Sequence, residues 1–264
     1  MSLFIETLEG IRYDLSEYGL IPLKLEIDSL SPKTESESTD GRDGHIDLET
    51  TYDGRTMRAS FLMSSEDIAD YSTKRDNVFR LFNGKTYFYL LDNRVPFKRW
   101  KVRSATVFNL DKVNRRKATF EIACISSSPY AESGGSTLNP GWHFQVSAPE
   151  EVIYTFNDST FKIWNDGDSI VDPREHFLKI AFKGLSNNLT IKNLTTGDEW
   201  IYSGPTIAND QIELTGIRSL KNGTSIFGQT NKKLITLVPG WNQFQISGVS
   251  DTFEISFDFK FLYI

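Results

Sequence analysis

Apolar and polar residues alternate at period two along most of the chain, the spacing that places every second side chain on one face of a β-sheet. The clearest run is FEISFDFKFLYI, where Phe253, Ile255, Phe257, Phe259, Phe261 and Tyr263 fall on one face and Glu254, Ser256, Asp258 and Lys260 on the other. A strand this apolar on one side must pack against a second layer. KTYFYLL, RWKVRSATVF and KATFEIACI alternate in the same way, the last with Phe120, Ile122 and Cys124 on its apolar face. One segment departs from the rule. Over SSEDIADYSTKRDNVFRLFNG, Ile68, Tyr71, Val78, Phe79 and Phe82 recur at helical spacing, Ser64 and Asp67 stand in a near capping-box arrangement, and Gly84 follows the end. That pattern predicts a single long helix over about residues 65–83. Its polar face, with Glu66, Asp70, Lys74 and Arg75, reads as solvated surface or partner contact.

Through SSPYAESGGSTLNPG the periodicity gives way to Ser, Gly and Pro, the composition of a linker or long turn, and the domain boundary is placed there. The fold is thus expected to be mainly β. Residues 1–130 predict a mixed β domain with the one helix, and residues 131–264 an all-β domain. In the latter the frequent turn signals NDGD, FKGLSNN, TTGD and LKNG indicate a β-sandwich or jelly roll. Phe and Tyr supply 29 of the 34 aromatic residues, which favours strands in both halves.

Charge refines this picture. A net charge of −6 and an isoelectric point near 5.2 lack the global basic excess of a nucleic-acid binder. Yet from Arg94 to Lys117 nine basic residues face one acidic residue, Asp111, whereas residues 131–264 hold ten basic and fifteen acidic groups. Within that basic stretch, RVPFKRWKVRS interleaves Arg94, Lys98, Arg99, Lys101 and Arg103 with Phe97, Trp100 and Val102. The pattern suits either a platform for single-stranded nucleic acid or a half-buried strand with a charged, subunit-contacting outer face, and the acidic total favours the second. The single cysteine, Cys124, excludes an internal disulfide and sits at a core position, so an inert thiol is expected. MSLFIETLEG lacks the basic start and long apolar core of a signal peptide, and no run nears the ~18 apolar residues of a membrane span, so a soluble chain is expected.

The inventory of reactive groups is thin. GxSxG, HExxH, GxxxxGK[ST] and a GxGxxG after a strand are all absent, and His45, His143 and His176 lie far apart in sequence. The acidic run NDGDSIVDPRE, with Asp166, Asp168, Asp172 and Glu175, does not match an EF-hand loop and reads as turn chemistry. No catalytic residue, cofactor or metal is expected, and an enzyme is not the reading. Trp142, Trp164, Trp200 and Trp241 all fall in the second half, and tryptophans exposed on a β-sandwich can stack on sugar rings. A stand-alone carbohydrate-binding, lectin-like module with these four as contacts is therefore the alternative function.

One feature is left over, the charged, glycine-bearing loop SLSPKTESESTDGRDGHID. It is followed by YDGRTMRASFLM and by the helix running from SSEDIADY to FRLFNGK. The second half then presents NDGDSIVDPREHFLKIAFKG, LTIKNLTTGDEW, IELTGIRSLKNG and PGWNQFQISG in that order. This succession resembles the distal tail protein family of long non-contractile tailed phages, over nearly the whole chain. Gly41, Arg42, Asp43 and Gly44 match the family's GRDG-like element, and Tyr52 its tyrosine-containing strand. The resemblance implies a virion structural protein of a phage or prophage, a hexameric ring at the tail tip. N-terminal domains would form the ring, and C-terminal domains with a galectin-like or carbohydrate-module-like fold would project outward. It further implies synthesis in the bacterial host cytoplasm. Expected partners are the tail tube protein, the tape-measure protein and the tail-associated or receptor-binding proteins of the baseplate that carry out host adsorption, with no sequence-specific contact to nucleic acid and no membrane insertion. From the residues alone, the acidic loop around Glu35, Glu37, Asp40 and Asp43 is expected to meet the basic region Arg94 to Lys117, with Arg99 and Lys101 as the positions that test it, on a neighbouring subunit.

Overall fold

The computed structural model describes residues 3–41, 43–141 and 144–264. The chain divides into two compact units, one running to Ala131 and taking in Ile264, the other Glu132–Tyr263.

The first unit contains β1 (Leu3–Glu6), β2 (Arg12–Tyr13), β3 (Leu20–Ile27), β4 (Pro32–Glu37), β5 (Ile46–Tyr52), β6 (Arg55–Ser64), α1 (Ile68–Leu81), β7 (Phe88–Asp92), β8 (Lys98–Ser104), β9 (Asp111–Lys112) and β10 (Lys117–Ser126). Its main sheet runs in the order β2-β1-β7-β8-β10-β6-β3, with β9 added on β10. Alternation predicts β10 well: Ala118, Phe120, Ile122 and Cys124 all point inward. It predicts β7 poorly, because Phe88, Tyr89, Leu90 and Leu91 are all buried. One side of β7 meets the helix, where the Phe88 and Phe82 rings lie 5.8 Å apart, and the Arg99 guanidinium lies 4.0 Å from the Tyr89 ring on the strand.

The helix is shorter than its sequence signal. Asp67, not Ser64, is the N-cap, and its carboxylate accepts from the Asp70 N–H at 2.8 Å. Asp70 in turn accepts from the Glu66 N–H at 2.9 Å, so two otherwise orphaned donors are satisfied three residues later than expected. Gly84, at φ +75°, follows the C-cap Phe82. Of the five apolar helical positions, Tyr71, Val78 and Phe82 are buried, whereas Ile68 and Phe79 are exposed. Burying a side chain such as Val78 contributes about 1.5–3 kcal/mol, which fixes the face the helix presents. Phe82 packs on Phe61, and Phe61 stacks on Phe120, joining helix, β6 and β10 in one aromatic cluster.

The second unit contains β11 (Ala131–Ser133), β12 (Thr155–Phe156), β13 (Thr160–Asn165), β14 (Leu178–Asn193), β15 (Glu199–Thr206), β16 (Gln211–Thr215), β17 (Arg218–Lys221), β18 (Thr224–Ser225), β19 (Gly240–Phe259) and β20 (Leu262–Tyr263). β12-β19-β14-β16-β17-β18 form a continuous path, with β13 on β19 and β15 on β14. Two unusually long strands organise it. The first half of β19 pairs with β13 and with the end of β14, and its second half with β12 and the start of β14. Both long strands bend between these halves. FKGLSNN, which predicts a turn, is the bulged bend inside β14, with Gly184 at φ +154° and Asn188 at φ +55°. Phe244 from the first half of β19 approaches Phe257 from the second at 4.7 Å, so the bend turns one chain of strands into two facing layers. LKNG does form a turn, Asn222 and Gly223 both at positive φ between Lys221 and Thr224.

Candidate assembly surface

The charged stretch between β3 and β6 folds as a β-hairpin rather than a loop. β4 and β5 pair only with one another, from Pro32 opposite Tyr52 to Glu37 opposite Ile46, and every residue in both strands is exposed. The hydroxyls of Thr34 and Thr50 approach to 3.1 Å across the pair. A bulge after Glu35 leaves Leu48 without an opposite number, and Leu48, Ile46 and Tyr52 stay solvent-facing. Gly41 and Gly44 take φ of +81° and +85° at the tip, a conformation costly for other residues. Asp43 lies with them on the exposed tip, and Arg42 lies outside the described residues.

The root of this arm is firmly held. Asp53 N–H donates to Ser31 O at 3.0 Å and Asp28 N–H to Thr56 O at 3.1 Å. Arg55 Nε donates to Asp28 O at 2.6 Å while its guanidinium lies 4.9 Å from the Trp100 ring. Burial draws the Arg55 guanidinium below its usual pKa, with the charge of Asp28 opposing. Gly54 admits no side chain, since a Cβ there would come 2.5 Å from Ser126 O. A two-stranded hairpin packed on nothing is marginal in water, and this one exposes unpaired strand edges studded with charge.

The basic residues divide into two groups. Arg99 is turned inward: its guanidinium donates to Glu6 Oε1 at 3.0 Å, covers Tyr89, and keeps Nε buried without a hydrogen-bond partner. Arg12 reaches the other oxygen of Glu6 at 3.1 Å. Lys101 and Arg103, on the same strand, are exposed and lie 5.6 and 5.8 Å from the Tyr87 ring. The second group is the turn KVNRRK, residues 112–117, where Asn114 Oδ1 accepts from the N–H groups of Arg116 and Lys117 at 2.9 Å each. All six residues of that turn are exposed.

The tryptophans of the second unit also separate. Trp200 is 1% exposed and donates to Ser219 Oγ at 3.2 Å, so its ring is core. Trp164 and Trp241 sit opposite one another on β13 and β19 with rings 5.2 Å apart, and Lys162 Nζ lies 4.2 Å from the Trp241 ring. Trp164 Nε1 is tied to Asp166 at 2.8 Å. Trp142, like His143, lies outside the described residues. Cys124 is 2% exposed, and burial pushes its thiol up to about 12, far from a nucleophile's range. Among the described residues no group of three or more His, Cys, Asp or Glu converges as metal ligands, and no helix is long and apolar enough to cross a membrane.

Residues 9–125 match the family of the phage tail protein RIFT-related domain. No curated protein matches the chain. The crystal structure of the Dit protein of phage SPP1, described as a paradigm of hub adsorption apparatus in Gram-positive-infecting phages, superposes with a TM-score of 0.72 at 12% identity, over 99% of this chain and 100% of that one. Chains of the phage P2 baseplate in its activated conformation align at a TM-score of 0.44, with calcium at 9% identity over 99% of this chain and 98% of theirs, and with strontium at 10% over 98% and 97%.

Proposed function

From a phage tail protein RIFT-related domain at residues 9–125 and a whole chain with the fold of a distal tail protein, we propose that this protein is the structural hub of a phage or prophage tail tip. Six copies form a ring that joins the tail tube, with its tape-measure protein, to the tail-associated or receptor-binding proteins of the baseplate. Its role is structural rather than catalytic, and its place is the tail end of the virion, after synthesis in the bacterial host cytoplasm. The first unit forms the ring.

The observation that carries this reading is the arm β4–β5. A two-stranded hairpin with every strand residue in water is marginal by itself, so one rooted by hydrogen bonds in a larger sheet is suited to being received by another surface. The tip, with Gly41, Asp43 and Gly44, and Tyr52 near the root are the assembly contacts on one side, and Lys101 offers an exposed cation on the other. Arg99 serves the ring indirectly, by holding β8 to β1. Pro32 and Tyr52 face each other, so replacing residues 33–51 with Asn-Gly closes the gap as a two-residue turn. That variant is expected to keep its circular dichroism and lose its oligomers in light scattering. Oligomers unchanged in mass and stability would overturn the reading.

A further inference from the structure

Two exposed clusters of opposite sign lie on the first unit, and among the described residues neither is neutralised by ion pairs with the rest of its chain. Residues 32–52 carry six acidic and two basic side chains, a net of −4, and the single ion pair within β4–β5 and its tip, among the described residues, is His45 with Asp47 at 3.2 Å. Residues 112–117 carry four basic and no acidic side chains, and no carboxylate among the described residues pairs with them. Lys112 lies 5.1 Å from the Tyr71 ring, and Arg116 donates to Glu66 O at 3.4 Å, which ties the turn to the helix start without neutralising it.

Their placement is set by one strand. β6 is ten residues long, about 30 Å, and it enters from the arm at Arg55 and ends at Ser64, directly opposite Lys117 of the basic turn. The arm, six residues in β4 and seven in β5, is rooted at the Arg55 end and is about 20 Å long. The root of the acidic arm and the basic turn therefore lie at opposite ends of β6, and no ion pair joins the two clusters among the described residues. Opposite charges at opposite ends of one strand suit a head-to-tail, heterologous contact, the kind from which a ring is built.

We infer that the acidic arm β4–β5 of one copy docks on the basic turn Lys112–Lys117 of the next, so that subunit association is driven by this pair of patches. The inference rests on the hub reading above and names the two faces that meet. The test uses the full chain and three variants: Glu35→Lys with Glu37→Lys in the arm, Arg115→Glu with Lys117→Glu in the turn, and all four together. Every substituted position is exposed, so the melting temperature should not move. In light scattering across concentration, each two-site variant is expected to associate about tenfold more weakly, and the four-site variant to recover, because its reversed arm meets a reversed turn. Wild-type association should also weaken as salt rises from about 0.05 to 0.5 M. Wild-type oligomers that ignore the reversals, or two-site losses that the four-site variant does not restore, overturn the inference while leaving the hub standing. A wild-type chain monomeric at every concentration and salt overturns both.

Discussion

Replacing Arg99 by methionine should destabilise the first unit rather than act at an interface. Glu6 and Arg99 side chains are 10% and 12% exposed, and their 3.0 Å pair joins β1 to β8 across the width of β7. Removing one partner of a mostly buried pair typically costs 3–5 kcal/mol, because the other charge is left desolvated. Arg12 still reaches Glu6 at 3.1 Å, so the lower end applies, about 3 kcal/mol. For a unit of this size that is a fall of about 10 °C in melting temperature. Lys101→Met, two residues along and exposed, should cost less than about 0.5 kcal/mol. Scanning calorimetry on both variants, with Glu6→Gln and the double variant completing the cycle, should give a coupling of about 1–2 kcal/mol between Glu6 and Arg99. Equal stabilities for Arg99→Met and Lys101→Met would refute the assignment of Arg99 to the fold and return it to the surface.

Three further outcomes are expected. Gly248→Ala places a Cβ 2.4 Å from Asn188 O at a φ of +81°, and should cost the second unit at least about 2 kcal/mol in urea unfolding. Phe61→Ala empties a site that is 0% exposed and stacked on Phe120, with an expected loss of about 3–5 kcal/mol by thermal melting. Asp210, held down to about 2 by the hydrogen bond from Lys221 and then by the Ile207 N–H and Asn222, gives a pH-dependent result. Its folded pKa lies below the unfolded value of 3.8, so its stabilisation is full above that value and is lost as pH falls towards 2. Asp210→Asn should thus be less stable than wild type near neutrality, with most of that gap closed at pH 2, as denaturation curves at the two pH values will read.

What the sequence discloses depends on how local the deciding interaction is. The run from Phe253 to Tyr263 and the Asn222-Gly223 turn are legible because period-two burial and positive φ are properties of a few adjacent residues. FKGLSNN misleads for the same reason. Its Gly and Asn satisfy the backbone of a turn and of a bulged bend equally, and only the opposing Gly248, whose open backbone nestles against Asn187 and Asn188, makes it a bend. The arm had a signal, Ile46, Leu48, Thr50 and Tyr52 at alternate positions, but nothing covers those residues, so hydrophobicity does not mark the strand against its charges. Arg99 and Lys101 look equivalent from alternation, two positions apart on one outer face. Glu6, 93 residues away, reaches one of them and not the other, and no local pattern encodes that.

An exposed ion pair contributes only about 0.2–1 kcal/mol, so an arm that meets a basic turn through a few such pairs forms a weak interface. A weak heterologous contact still yields a definite ring, because closure gives every subunit two contacts, whereas the end subunits of an open chain have one. Weakness then has a structural use. On the docking inferred above, the arm's exposed edges and the exposed Ile46, Leu48 and Tyr52 would add apolar and backbone contacts once charge has brought the ends together. In that docking, the acidic residues that steer the arm would also keep its bare edges from pairing with one another before a ring closes, since arm against arm sets −4 against −4. Neutralising the arm by Glu35→Gln, Glu37→Gln and Glu49→Gln should accordingly slow ring formation and raise irregular aggregation together, a paired outcome that loss of a simple adhesive patch would not produce.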